Sequence, residues 1–230
     1  MADSLGLNYE MTEFSGEAPV FPLPDVVFFP KTLLPLHIFE SRYREMTRDV
    51  LRGERIICVT LLKSPESGEE SSSVPIYEVG TLGYIEKYKL VEDGKYNILL
   101  NGLTKVRIHE YPQVRSYRTG QMEVIDDNTN PWNINAEREK LMDQFRYLSD
   151  LADNRLPLQE IQESNVSLEV LVNLLATWLP IPMTEKQKLL EINDIVLRSE
   201  IVREFLRQEI EDLSFLDDLD IPLPEDPKWN

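Results

Sequence analysis

The sequence predicts an α+β chain in two parts, strands first and helices after. Two observations carry this. Apolar residues alternate, or run in short β-branched blocks, as far as Ile125, and recur at helical spacing after it. The strongest turn signals, Asp93-Gly94 and Asn101-Gly102, lie in the first part only. Charge divides near the same place. Residues 1–18 carry four acids and no base, residues 19–118 carry 14 bases and 13 acids, and residues 119–230 carry 10 bases and 24 acids. The expected divisions are a flexible acidic lead at 1–18, a β-rich subdomain at 19–126, a helical subdomain at 127–213 and an acidic, Pro-containing tail at 214–230.

Phe21 to Pro30 sets apolar residues between prolines and reads as an interrupted or edge strand. Thr32 to Phe39 is a second short strand. From Glu40 to Arg52 the period turns helical, with Tyr43, Met46, Val50 and Leu51 on one face and Gly53 as the stop. Arg55 to Leu62 is apolar and β-rich, so it reads as a buried strand. Lys63 to Pro75 holds five Ser and three Glu and reads as a mobile loop. Glu78 to Val91 is a strand whose Gly80 and Gly83 mark bulges or close backbone approach. Asp93-Gly94 turns it into Tyr96 to Leu100, and Asn101-Gly102 predicts a second turn. Thr104 to Tyr111 alternates, with Val106 and Ile108 inside and Lys105, Arg107 and His109 outside. Tyr117 to Ile125 ends the β-rich part.

Asp126 to Asn133 is a polar linker. Leu141, Phe145, Leu148 and Ala152 then form one helical stripe, and Leu168, Leu171, Leu175 and Trp178 a second. Thr184 to Gln187 has the pattern of a capping box. The stripe Val202, Leu206, Ile210 and Leu213 belongs to the helix it opens or to another after Asn193. Phe215, Leu216, Leu219 and Ile221 are the residues that would dock the tail.

Composition excludes several kinds of chemistry. A net charge of −17 on 230 residues weighs against a broad phosphate-binding surface. The single Cys58, inside an apolar strand, reads as a buried hydrophobe and leaves no disulfide framework or Cys-based zinc site. There is no G-x-x-x-x-G-K-[ST] loop, no G-x-S-x-G elbow and no H-E-x-x-H. No catalytic residue, cofactor or metal site is therefore expected. His37 with Glu40 is the one acid–base pair worth weighing, and a structural His at a strand end is the plainer reading. The N-terminus has no basic or apolar signal region, and no apolar run reaches the ~18 residues of a membrane helix. A cytoplasmic protein with a reduced thiol, and no membrane partner, is expected.

What remains is surface. Phe28, Phe29, Leu33, Tyr84 and Tyr88 are the candidate protein-binding residues, in or near strands. If residues 28–29 are extended, their side chains face opposite ways and one of the two rings is exposed.

Several segments, in order, resemble the N-terminal substrate-recognition domain of the Lon family of ATP-dependent proteases. They are Phe21-Pro-Leu-Pro-Asp-Val-Val-Phe-Phe-Pro30, Leu34-Pro-Leu-His-Ile-Phe-Glu-Ser-Arg-Tyr-Arg-Glu-Met46, Val79-Gly-Thr-Leu-Gly-Tyr-Ile85 and Asp93-Gly-Lys-Tyr-Asn-Ile-Leu-Leu-Asn-Gly-Leu103. Val106-Arg-Ile108, Leu174-Leu-Ala-Thr-Trp-Leu-Pro-Ile181 and Glu185-Lys-Gln-Lys-Leu-Leu-Glu191 follow. Lys31 departs from the Gly that members commonly carry after Phe-Pro. The resemblance implies a PUA-like twisted β-barrel or sheet with one short helix, followed by a helical bundle. It also implies a stand-alone Lon-domain protein lacking the ATPase and Ser–Lys peptidase domains, and so no enzyme. The implied role is binding unfolded or partner proteins through an apolar groove, expected between the two subdomains, with an adaptor role in protein quality control. Monomer and weak dimer both stay open. Two other readings stand beside it: a small-ligand binder or enzyme using His37 and Glu40, and a weak RNA binder using Lys87, Lys89, Lys105 and Arg107.

Overall fold

The computed structural model describes Met11 and residues 14–63, 74–128, 134–151 and 166–218. Most of the expected lead and tail, the Ser/Glu-rich loop and part of the linker lie outside these residues. The chain divides into two compact units, residues 1–126 and 127–230.

The first unit contains β1 (Glu17–Leu23), β2 (Leu33–Ile38), α1 (Ser41–Val50), β3 (Ile56–Leu61), β4 (Val79–Leu90), β5 (Tyr96–Glu110) and β6 (Arg118–Ile125). β1 thus starts inside the segment read as the lead. The strand order is β2-β5-β4-β3-β1-β6, and β5 also pairs with β6. Five strands therefore close into a ring, and β2 is added along the first half of the long β5. β1 and β3 are parallel; every other pairing is antiparallel.

All six residues of β3 are buried, because both of its faces are covered. Ile56 and Cys58 face one core with Val20, Leu82 and Val106. Ile57 and Val59 face the other, which α1 covers with Tyr43, Met46 and Val50. Burial pushes the Cys58 thiol up, so it stays protonated.

Asn101-Gly102 makes no turn. β5 runs straight through it, and a strand bulge lies there opposite β4, where Leu82 pairs with Thr104 and Gly83 with Gly102. Lys31 N–H donates to the Gly102 carbonyl (2.8 Å), and Gly102 N–H donates to Thr32 (2.9 Å). A tight Asn-Gly turn needs positive φ at both residues, and neither has it. Asp93 (φ 62°) and Gly94 (φ 69°) do, and there the chain reverses as expected.

Phe28 and Phe29 are both buried, at 3% and 0% exposure. The expectation that one faces out fails because residues 24–32 are not an extended strand. Lys31, at φ 62°, turns the chain directly after the two rings. Thr81 and Thr32 hydroxyls donate to the Phe28 and Phe29 carbonyls (2.5 and 2.7 Å) and hold the loop down. Gly83 makes the expected close approach: a Cβ there would lie 2.9 Å from the Phe28 ring. Lys105, expected outside, is also buried, at 2% exposure.

β2 is the edge strand. Pro35 has no N–H, yet Leu34 and Leu36 on either side stay paired with Leu100 and Ile98. The Pro35 nitrogen therefore points to the free edge, where its missing donor discourages pairing with a further strand.

The second unit contains α2 (Ile134–Leu151), α3 (Leu168–Trp178), α4 (Met183–Glu191) and α5 (Ile195–Asp218). Leu141, Phe145 and Leu148 are buried, as are Leu168, Leu171, Leu175, Val202 and Leu206. Trp178, Ile210 and Leu213 are partly buried; Ala152 lies outside the described residues. The Ser167 hydroxyl caps α3 by accepting from Val170 N–H (3.3 Å), and the Asp194 carboxylate caps α5 by accepting from Val196 N–H (2.9 Å). Thr184 caps nothing. α4 starts one residue earlier, after Pro182, whose carbonyl accepts from Glu185 and Lys186 N–H. Gln187 reaches forward to Glu191 instead of back. α5 continues to Asp218, into the segment read as tail, and Phe215 is 63% exposed rather than docked. The α+β class with a helical C-terminal part is the fold found. Among the described residues, no helix is long and apolar enough to cross a membrane.

Lys186 carries a pH dependence. Its ammonium is buried and donates to the Thr177 carbonyl at the end of α3 (2.5 Å). Desolvation lowers its pKa from 10.5 to about 8. Between those values the unfolded chain binds more protons than the folded one, so stability rises with pH across that window. Chemical denaturation below pH 8 and near pH 10 should show this rise in the native chain. Lys186→Met should abolish it.

Candidate protein-binding cleft

Where β1 and β2 end, their apolar side chains outrun the sheet that covers them. β1 closes on Phe21-Pro22-Leu23-Pro24, and the two prolines keep the chain extended while limiting its pairing. β2 closes on Leu36-His37-Ile38-Phe39, directly before α1. Between these ends and Leu62–Lys63 lies a cleft of about 580 Å³. That is the size range of a ligand pocket, and it is large enough for a few side chains.

The floor is apolar and aromatic. Phe21 and Tyr43 rings meet at 4.3 Å between centroids, tilted by 52°. Burial, the largest influence, raises the Tyr43 phenol pKa, so the ring stays neutral. Phe39 stands at the rim, 61% exposed. Alternation explains it: Leu34, Leu36 and Ile38 turn inward along β2, so Phe39 turns out. Its ring stacks on His37 at 6.2 Å and 23°.

Three polar groups at the rim, His37, Glu40 and Arg42, are already engaged. His37 Nδ1 lies 2.6 Å from Asn97 Oδ1. The Glu40 carboxylate accepts from Arg42, at 3.0 Å from Nε and 2.9 Å from the terminal nitrogen. The Arg42 guanidinium in turn lies 4.5 Å from the Tyr43 ring centroid. His37 and Glu40 both line the cleft, yet each is held by another partner and they form no acid–base pair. Among the described residues, no three His, Cys, Asp or Glu side chains gather to hold a metal.

The residues proposed from sequence do not meet here. Phe28 and Phe29 are core. Leu33 is 52% exposed, on the face of β2 opposite to Leu34 and Leu36. Tyr84 is half-buried against the core around Cys58. Tyr88 is 49% exposed, with the Arg55 guanidinium 5.8 Å from its ring centroid. Phe39 was missed as a site residue, although strand alternation places it outside. The basic set Lys87, Lys89, Lys105 and Arg107 loses Lys105 to the interior. His109 is a surface residue 3.1 Å from Glu123.

A family model for the ATP-dependent protease La (LON) substrate-binding domain matches residues 17–208. Lon protease 2 of Syntrophobacter fumaroxidans is 30% identical over 196 residues, covering 84% of this chain and 25% of that protein. Lon protease 1 of Bdellovibrio bacteriovorus is 29% identical over 187 residues, covering 79% and 23%. The chain thus spans about a quarter of the length of these curated relatives. Among solved structures, the N-terminal domain of a Mycobacterium avium complex Lon protease aligns with a TM-score of 0.66 at 11% identity, over 83% of this chain and 98% of that one. A Lon N-terminal domain protein from Xanthomonas campestris aligns at 0.56 and 20% identity, over 82% and 97%. At these identities the two structures speak for the fold. The family match runs from the first residue of β1 well into α5, and the chain belongs to the Lon substrate-binding domain family.

Proposed function

We propose that the chain is a non-catalytic protein-binding module that takes apolar segments of unfolded or partner proteins into the cleft beside Phe39, as an adaptor in protein quality control. One observation carries the reading: a substrate-binding-domain fold leaves an aromatic-floored cleft open at the ends of β1 and β2, with Phe39 exposed at its rim. Large exposed apolar side chains grouped at a concave site mark interaction surfaces. At the rim Glu40 and Arg42 neutralise one another and Asp25 and Lys63 are opposite in sign, so the cleft selects for apolar character more than for sign. Peptidase and ATPase work lies outside this reading, since the sequence holds no phosphate loop. The His37–Glu40 reading loses support because neither group is free to act on the other. The RNA reading loses support with the burial of Lys105.

The test uses a permanently unfolded, reduced and carboxymethylated protein as probe. Phe39→Ser should weaken its capture about tenfold, the size of a typical hot-spot loss. Phe39 is exposed, so the variant should keep the native melting curve. Unchanged capture by a folded Phe39→Ser variant would remove the cleft as the site.

A further inference from the structure

The opposite flank of α1 carries a second surface that the cleft does not use. Arg44 and Arg48 lie one turn apart on this flank, and Arg52 and Arg55 follow in the turn after the helix. None of the four forms an ion pair among the described residues, whereas on the other flank Arg42 is paired with Glu40, and Asp49 with Arg115. Arg44 Nε donates to the Gly94 carbonyl (2.8 Å), which sets this flank against the β4–β5 turn. The Arg55 guanidinium lies beside the Tyr88 ring.

Between the arginines the surface is apolar. Tyr88 pairs with Ile98 and Leu90 with Tyr96, so all four share one face of the sheet. α1 covers Ile98, which is 3% exposed, but Tyr88 and Leu90 remain 49% and 59% exposed. Leu51 adjoins the same core and is only partly buried. Of the nearby acids, Glu45 on α1 accepts from the Ser116 hydroxyl, Asp93 in the turn is paired with Lys95, Glu92 stands in the same turn, and Glu54 accepts from Ser15. In a chain of net charge −17, this is a local strip of unpaired positive charge around exposed apolar side chains.

We propose that this strip docks a short acidic peptide segment bearing a leucine or phenylalanine among its carboxylates. Guanidinium groups match carboxylates in charge and in fork geometry, and Tyr88 and Leu90 offer the apolar contact. A long polyanion fits less well, because it would run off the strip onto an acidic protein. The proposal goes beyond the cleft reading and shares no residue with it.

The test measures fluorescence anisotropy of the full chain with a labelled peptide of roughly a dozen residues, glutamates around one Leu and one Phe. Binding should be strongest at low ionic strength and weaken as salt screens it. Arg48→Ala with Arg52→Ala should lower affinity about tenfold, as should Tyr88→Ser, while Phe39→Ser should leave it unchanged. Arg48 and Arg52 are exposed, so the double variant should keep the native melting curve. Equal affinity for the double variant, equal binding of a Glu→Gln peptide, or tighter binding of a single-stranded oligonucleotide of the same charge would overturn the proposal. Loss of unfolded-protein capture in Phe39→Ser alone would leave the cleft reading standing.

Discussion

Arg198→Ala is expected to destabilise the helical unit by about 3–5 kcal/mol, the cost of breaking a buried, hydrogen-bonded charge pair. Arg198 is fully buried on α5. Its guanidinium donates to Asp127 Oδ1 (2.7 Å), to Asn173 Oδ1 on α3 (3.0 Å) and to the Ile192 carbonyl between α4 and α5 (2.5 Å). One side chain thus ties the start of the unit, α3 and the α4–α5 connection together. Alanine strips the guanidinium from all three oxygens at once and leaves a cavity where a fully buried side chain stood. Arg198→Lys keeps the charge but loses the planar fork, so it should fall between alanine and the native residue. Urea unfolding followed by far-ultraviolet dichroism checks the order. A shift below about 1 kcal/mol for alanine would show that the network is dispensable.

Gly102→Val should disrupt the β unit to a similar degree. A Cβ at residue 102 would sit 2.5 Å from the Phe29 carbonyl oxygen, and 3.2 Å from both the Phe28 ring and the Pro30 Cα. Two of these three are backbone atoms, which cannot rotate away. The Phe28–Pro30 loop would have to lift, breaking the paired bonds of Gly102 with Lys31 and Thr32 and exposing two buried rings. A loss of about 3 kcal/mol or more follows from overpacking together with lost hydrogen bonds. Gly53→Val is the comparison: its Cβ would meet only the Val50 carbonyl, at 3.9 Å, so its effect should be much smaller. Thermal melts of the two variants separate steric exclusion at residue 102 from a general cost of losing glycine.

Two Asx-Gly pairs show what could be read from the sequence. Asp93-Gly94 and Asn101-Gly102 are equivalent as local signals, and only the first is a turn. The second is overruled by Lys31 and Thr32, just before β2, which hold Gly102 in the strand; that pairing spans about seventy residues and leaves no local trace. β3, α1 and the β4–β5 hairpin were legible because periodicity and turn chemistry act within a few residues. The inward placement of both Phe28 and Phe29 was not. It depends on Gly83 and Gly102 making room and on Thr81 holding the loop, all remote in sequence. The capping box failed for a nearer reason: Pro182 starts α4 one residue ahead of Thr184. At the cleft, Phe39 follows from strand alternation alone. The convergence of β1, β2 and Leu62–Lys63 around it comes from pairings remote in sequence: β1 lies parallel to β3, with Leu62 N–H bonded to the Leu23 carbonyl, and β2 is held by β5.

Hydrogen–deuterium exchange of the full chain, with and without a saturating apolar peptide, tests the cleft most directly. Amides of the described residues report where the peptide sits. Binding should slow exchange at Phe21–Asp25 and at Leu36–Glu40, and Phe39→Ser should erase both effects. Protection confined to α2–α5, or binding with no change at either segment, would contradict the cleft as the place where this domain takes its partners.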